Sequence, residues 1–548
     1  MAFCLFSSFS LCSFLVHSKW KSFSYNGSSF RRLTVFAASQ SDTTNKTSIE
    51  DTNITRRSAN YHPSIWDYGY VQSLRNDFDE SYKVRASKLK EEVRMMLGNM
   101  VDPLEKLELI DTLQRLGLSY HFDTEINKTL KNISIDRISN VSWKKDNLYA
   151  TALEFRLLRQ HGYKVGQDVL TCFMDDFGNI KSSLNQDFKG LLSLYEASYL
   201  ILEGETMLES ARELVAKLLK QYLKENNDHQ YLWMLVDHAL GLPLHWMMPR
   251  LEAIWFIDVY EKNKDKNPII LELSILDYNI VQSIHREDLR YVSTAGMIIA
   301  PQNGKSRIFH TMVNALITVI DDVYDVCGTL DEWDINEIHR LPNYMKIYYH
   351  ALYNSINEMA FDTLKEHGID VIPFLKKLWT DLCKAYLVEA KWYHTRYTPT
   401  LQEYIDNAWI SVGGSLMLAH SYLVTDHITE EGLHNIQEND SDIIYGSSLI
   451  IQLTNDLGTS LHELKRGDIP KSVQCYMYES GVSEEEARGH IRKLIGATWK
   501  KINEDQMAKL PFSRKFIEIC KNIASVSLLM YQNGDSHGIE DKEIKDRV

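Results

Sequence analysis

Asp321-Asp322-Val323-Tyr324-Asp325 and, far down the chain, Asn455-Asp456-Leu457-Gly458-Thr459-Ser460-Leu461-His462-Glu463 are the residues best suited to chemistry. Each stretch lies in apolar sequence that reads as helix. Positions four apart share a helix face, so Asp321 and Asp325 point the same way. Asn455, Thr459 and Glu463 fall at i, i+4 and i+8, a stripe about 12 Å long at 1.5 Å per residue. With Asp322 and Asp456 they form an all-oxygen candidate metal set. That set suits Mg²⁺, which takes one or two protein carboxylates and fills its other positions with water and phosphate oxygens. Two such stripes facing each other would hold a diphosphate through several ions. An Asp-rich turn on a helix also describes a solvated acidic face. Here it closes the apolar run Val313-Asn314-Ala315-Leu316-Ile317-Thr318-Val319-Ile320, where carboxylates are poorly solvated without a cation.

Further motifs occur in a fixed order: Arg56-Arg57 followed after eight residues by Trp66, Leu109 to Gly117, Ala152-Leu153-Glu154-Phe155-Arg156, and Arg466-Gly467-Asp468-Ile469-Pro470-Lys471-Ser472. With the two acidic stripes, they make the chain from Arg56 onward resemble the plant terpene synthase family, of the angiosperm monoterpene synthase type. The resemblance implies an all-α fold of two helical domains, a barrel-like N-terminal one and a C-terminal class I terpenoid synthase bundle. It implies ionisation of a prenyl diphosphate, geranyl diphosphate first among them, with three Mg²⁺ or Mn²⁺ ions, and a monoterpene product, with a lean toward cyclic ones. By the same resemblance Lys471 contacts diphosphate, and Asn314, Thr318, Trp409, Ser411, Tyr531 and His537 line or cover the cavity. Arg56 and Arg57, with Trp66, close its mouth. Each of these residues also reads as an ordinary core, loop or surface position.

The chain departs from the family pattern in places. The Arg-x-Arg segment expected before the aspartates is missing where Glu287-Asp288-Leu289-Arg290-Tyr291-Val292-Ser293 runs into Ala295-Gly296-Met297-Ile298. Arg286 and Arg290 belong to the preceding helix by context. Gly328-Thr329-Leu330-Asp331-Glu332 joins Trp333-Asp334-Ile335-Asn336 without the usual acidic turns. Gln452 stands where an arginine commonly binds diphosphate, and Val548 comes soon after Asp535-Ser536-His537-Gly538. These departures keep a catalytically silent homologue open as a rival, beside a sesquiterpene synthase acting on farnesyl diphosphate. A chain-elongating prenyltransferase would carry two Asp-rich motifs, and the Asn455-to-Glu463 pattern speaks against it. No DxDD occurs in the N-terminal half, which argues against protonation-initiated cyclisation.

The 548 residues have room for two or three domains. Only 11 prolines and 25 glycines punctuate them, favouring long helices. A net charge of −14 argues against nucleic acid as partner and makes an anionic substrate depend on divalent metal. The seven cysteines are scattered without a CxxC pair, so no zinc site or disulfide framework is expected. The first acidic residue is Asp42, and eleven serines with Lys19, Lys21, Arg31 and Arg32 precede it. Residues 1–41 therefore read as a plastid transit peptide delivering the protein to the stroma. A secretory signal around Leu11 to Val16 is the rival, but it lacks a basic residue ahead of it. No apolar stretch is long enough to span a bilayer.

The organisation expected is a polar, mobile segment over 42–60 and a helical N-terminal domain over 61–260. The charged linker Glu261 to Pro268 follows, then a metal-binding helical domain over 269–548, in a monomer. Thr206 to Asn226 is the clearest helix, burying Leu208, Ala211, Val215, Leu218, Leu219 and Tyr222, with Thr206 and Glu209 spaced for a capping box.

Overall fold

In the computed structural model the described residues are 80–139, 147–175, 178–225, 230–291, 304–328, 339, 341–425, 427–439 and 441–532. Arg56, Arg57, Trp66 and His537 lie outside them, as do residues 1–41 and 42–60 and the junctions at 292–303 and 329–338. The architecture is all-α: among the described residues the only β-pairing is an isolated bridge between Met174 and Ile180. No helix is long and apolar enough to cross a membrane.

The first half contains α1 (Glu80–Asn99), α2 (Pro103–Arg115), α3 (Asp123–Ser139), α4 (Leu148–Gln160), α5 (Phe188–Ala197), α6 (Thr206–Glu225), α7 (Tyr231–Gly241) and α8 (Pro249–Lys262). Local chemistry sets the boundaries. Asp102 caps α2 by accepting from Leu104 N (2.7 Å) and Glu105 N (3.0 Å), and Pro103 fills the first helical position, where no N–H is needed. The expected helix at Thr206 ends at Glu225 and buries Leu208, Ala211, Val215 and Leu219, while Leu218 and Tyr222 are partly buried against the same core. Glu209, spaced for a box with Thr206, accepts instead from Lys500 Nζ of the other half at 2.9 Å.

The charged linker is a tight turn. Asn267 N donates to Tyr260 Oη (2.9 Å), and Asn267 Oδ1 caps α9 (Pro268–Tyr291) at Ile269 N (3.0 Å). Ile270 and Leu273 of α9 join the core of the first half, together with Leu107, Ile110, Phe122, Phe155 and Leu191. The first core thus extends across the linker into the helix beyond it, past residue 260.

The second half is built from α10 (Gly304–Asp322), α11 (Asn343–His367), α12 (Ile372–Thr395), α13 (Leu401–Ser411), α14 (Gly414–Leu423), α15 (Glu430–Gln437), α16 (Asp442–Arg466), α17 (Ser472–Ser480), α18 (Glu484–Met507) and α19 (Arg514–Met530). Capping boxes at Thr400/Glu403 and Ser483/Glu486 start α13 and α18. Its own core includes Val313, Ile317, Leu375, Leu382, Tyr404, Tyr422, Ile450, Leu453, Trp499 and Phe516. The two halves meet through α18 and α19. Trp246 stacks on Trp499 (5.9 Å, 20°), His245 Nε2 meets Asn503 Oδ1 (2.7 Å), and Arg514 reaches Asn127 Oδ1 (2.7 Å) and His161 Nδ1 (2.6 Å). Because arginine only donates, His161 Nδ1 accepts.

Candidate metal and diphosphate site

The face of α10 that carries Val313, Ile317 and Ile320 is buried, and it delivers the aspartates to the end of the helix. There the backbone widens into one π turn, Val323–Cys327, closed by Gly328 N donating to Val323 O (2.7 Å). Such turns recur at functional sites, and helical periodicity alone gives no sign of this one. The three carboxylates meet different surroundings: Asp322 is buried, Asp321 half-buried and Asp325 exposed. Burial pushes the Asp321 carboxyl well above the usual range; Asp325 and then Asp322 raise it further, while Lys471 pulls it down and Glu389 adds to the rise. This is the electrostatic situation a cation would relieve. Asp321 and Asp325 are neighbours, as their spacing requires, and Lys471 is close enough to be felt by Asp321.

Across from the aspartates, α12 contributes two residues that the motif search missed. Tyr386 is buried, and burial followed by Asp321 and Asp325 raises its phenol well above the ordinary value. Its ring stacks on Tyr324, between the aspartates, at 5.6 Å. Glu389 is buried and receives Asn407 Nδ2 (3.2 Å) and the Ser411 hydroxyl, while Lys471 Nζ lies 3.9 Å from its other oxygen. The available signal is a lone acid in the apolar stripe Ala385, Tyr386, Glu389, Ala390 of α12. Ser411, expected on the cavity, therefore spends its proton on Glu389.

On α16, Asn455 is half-buried and Thr459 buried. The Thr459 hydroxyl donates back to Asn455 O (2.9 Å), which leaves its lone pairs for another partner. Thr318 does the same to Asn314 O (3.0 Å) on α10. The backbone of Glu463 lies in α16; its side chain is outside the described residues. Asp456, expected among the ligands, is turned into the core instead. It is fully buried, with Oδ1 accepting from Tyr404 Oη (3.0 Å) and Gln452 Nε2 (2.7 Å) and Oδ2 from Ser472 N (3.1 Å). One residue along a helix is a rotation of about 100°, which separates Asp456 from the Asn455 face. Gln452 is buried in the same network. Trp409 is buried edge-on to Tyr445 (5.2 Å), and Tyr531 ends α19. Among the described residues no three His, Cys, Asp or Glu converge into a ready cage. An ion that keeps part of its shell for water and phosphate needs none.

Gly413 makes the bend between α13 and α14. Its φ is +74°, and a Cβ there would sit 2.8 Å from Ile317 Cγ2 on the aspartate helix.

Two domain matches cover most of the chain: residues 65–240 match the terpene synthase N-terminal domain, and residues 285–501 match the terpene synthase family metal binding domain. The chain belongs to the terpene synthase family. As such it is a lyase with a metal-binding domain. This terpene synthase is 54% identical over 532 residues to a (-)-alpha-terpineol synthase of Vitis vinifera, spanning 90% of each chain. Its fold matches a limonene synthase crystallised with 2-fluorolinalyl diphosphate (TM-score 0.85, 41% identity, 90% of this chain and 98% of that one). It also matches isoprene synthase from grey poplar with three Mg²⁺ ions and dimethylallyl-S-thiolodiphosphate (TM-score 0.78, 40% identity, 88% and 97%). Several other relatives carry the word chloroplastic in their names.

Proposed function

We propose that this terpene synthase ionises geranyl diphosphate with Mg²⁺ or Mn²⁺ and converts the cation to a monoterpene, favouring a cyclic one. The observation that carries the reading is the Asp321 carboxyl, raised first by burial and then by Asp325 and Asp322, with Lys471 opposing. Asp321 and Asp325, with Asp322 behind them, would hold metal on one side, and Asn455, Thr459 and Glu463 on the other. Three ions are expected, as in the grey poplar structure. When bound, they withdraw charge from the leaving group and orient it. Lys471, steadied by Glu389, receives the diphosphate oxygens. The allylic C–O bond breaks with its electron pair leaving on diphosphate. The allyl cation that remains is held beside aromatic faces such as Trp409 and Tyr531, whose quadrupoles attract positive charge. Proton loss or water capture ends the sequence, with Asn314, Thr318 and Ser411 proposed along the wall; the role expected of His537 falls outside the described residues. The closing role expected of Arg56, Arg57 and Trp66 likewise falls on residues outside those described.

The names of the relatives support a plastid location; the stroma as compartment and residues 1–41 as transit peptide are our reading of the acid-free, serine-rich N-terminus. We place the division between the two domains within α9, because its first turns belong to the first core. The working unit is a monomer.

The test is to incubate the purified protein with geranyl diphosphate and Mg²⁺ and to identify volatiles by gas chromatography. A monoterpene that disappears with EDTA and in Asp321→Ala supports the reading. Product from farnesyl diphosphate alone would make it a sesquiterpene synthase. A folded protein giving no product from either would make it a silent homologue.

A further inference from the structure

The acidic stripe on α16 contains a carboxylate that points the wrong way for a metal. Asp456 is fully buried, and its two oxygens collect three donors from three places: Tyr404 on α13, Gln452 one turn back on α16, and the backbone N–H of Ser472 at the first position of α17. The Gln452 amide also donates to Tyr404 Oη at 2.7 Å, so the three side chains form one closed network. A carboxylate has about four acceptor sites, and here three of them meet protein donors inside the core. An ion at Asp456 would have to break these bonds in a place with no exposed surface.

What the network holds is informative. Ser472 follows Lys471 directly, and Lys471 is the N-cap of α17 in extended conformation (φ −95°, ψ −177°). Lys471 N donates to Gln474 Oε1 (3.2 Å), and its ammonium lies 3.9 Å from Glu389 Oε2. The lysine is thus fixed at both ends: its backbone through the bond from Ser472 to Asp456, its charge through Glu389. A flexible lysine stem loses considerable freedom when ordered, so anchoring its backbone reduces what the substrate must supply.

We propose that Asp456 is a positioning residue that clamps the start of α17, so that Lys471 is already aimed at the diphosphate before substrate arrives. This rests on the proposed role of Lys471 as the diphosphate contact.

Ser472→Pro breaks the clamp from the backbone side. It deletes the one N–H that reaches Asp456 Oδ2 and sets the ring Cδ in its place against the carboxylate, at a helix position where proline is otherwise well tolerated. Extended backbone at Lys471 is what a following proline requires. The Ser472 hydroxyl is buried without a hydrogen-bond partner, so losing it removes no bond. Asp456→Asn is the companion variant, because an amide cannot satisfy Tyr404, Gln452 and Ser472 together.

Inorganic diphosphate with Mg²⁺ serves as inhibitor against geranyl diphosphate, with melting temperature as the check on folding. Ser472→Pro is expected to weaken diphosphate inhibition and raise KM about tenfold, the scale of one hydrogen bond to a charged acceptor. The Mg²⁺ concentration for half-maximal activity stays as it was. Combined with Lys471→Met it should add nothing to Lys471→Met alone. If Lys471→Met weakens inhibition and the double variant is fully additive, the clamp is refuted and the lysine's role stands. Loss of Mg²⁺ affinity in Asp456→Asn with unchanged diphosphate inhibition would make Asp456 a ligand. A silent Lys471→Met would remove the lysine's role and the clamp with it.

Discussion

Gly413→Ala tests whether the bend between α13 and α14 positions the aspartate helix. Two costs follow from the structure. A φ of +74° suits glycine, and a side chain there costs about 1–2 kcal/mol. The new methyl would sit 2.8 Å from Ile317 Cγ2 and 3.2 Å from its Cδ1, whereas carbon atoms pack best at about 3.5–4.0 Å. Relieving that overlap in a packed core costs about 1–3 kcal/mol more. The total, about 2–5 kcal/mol, is read from urea unfolding of the variant against the parent. The two costs are separable. Ile317→Ala removes all three atoms near the added methyl, so Gly413→Ala made in the Ile317→Ala background should cost only the backbone part. The coupling between the two sites is therefore expected at about 1–3 kcal/mol. Ile317 lies one turn before Asp321, so a displaced α10 also moves the carboxylate. A shift of about 1 Å can cost about 10²-fold in rate. The kcat of Gly413→Ala should fall on that scale and recover in part with Ile317→Ala. Strict additivity in stability, or an unchanged kcat in Gly413→Ala, would refute the contact as a positioning device.

Two other variants report on buried charge. Glu196 is buried in the first domain, accepts from Leu244 N (2.9 Å), and is raised from 4.5 to about 7 mainly by burial, with Arg156 opposing. The folded state keeps its proton where the unfolded chain has lost it. Its contribution to stability is thus complete below pH 4.5 and is lost as pH rises toward 7, by about 3 kcal/mol. Glu196→Gln should gain on the parent by about that amount across this interval in urea titrations; a constant difference would contradict the assigned burial. Glu389→Gln removes the charge facing both Lys471 and Asp321. It should lower kcat/KM for geranyl diphosphate by about 10–10²-fold and weaken diphosphate inhibition in parallel, and an unaltered inhibition constant would disconnect Glu389 from the lysine.

Helical periodicity carried most of the fold. Leu208, Ala211, Val215 and Leu219 mark a buried stripe because their spacing repeats every three to four residues and nothing else in that segment competes. The segment from Glu261 was legible as a charged linker between the halves, but its charge and proline did not show that Ile270 and Leu273 continue the earlier core. That depends on α1 being there to receive them, a contact between residues far apart in sequence. Glu389 stayed hidden for a related reason. One acid on an amphipathic helix is ambiguous until Ser411, Asn407 and Lys471 are seen around it.

The acidic motifs show where spacing stops being informative. Periodicity assigns Asn455, Thr459 and Glu463 to one face and places Asp456 about 100° away, yet composition tempts one to read all four as a single ligand set. Charge alone does not separate them, because a carboxylate can answer a cation or a ring of neutral donors equally well. The deciding residues are Tyr404, Gln452 and Ser472, which lie at three separate points of the chain and become a set only when α13, α16 and α17 pack. Gln452 is the clearest case. Read singly it is a missing positive charge; in the fold it is a buried donor whose amide bridges Tyr404 and Asp456. An arginine introduced there would have to abandon that bridge or bury a charge against Asp456, so Gln452→Arg should disturb the start of α17 before it could assist the substrate.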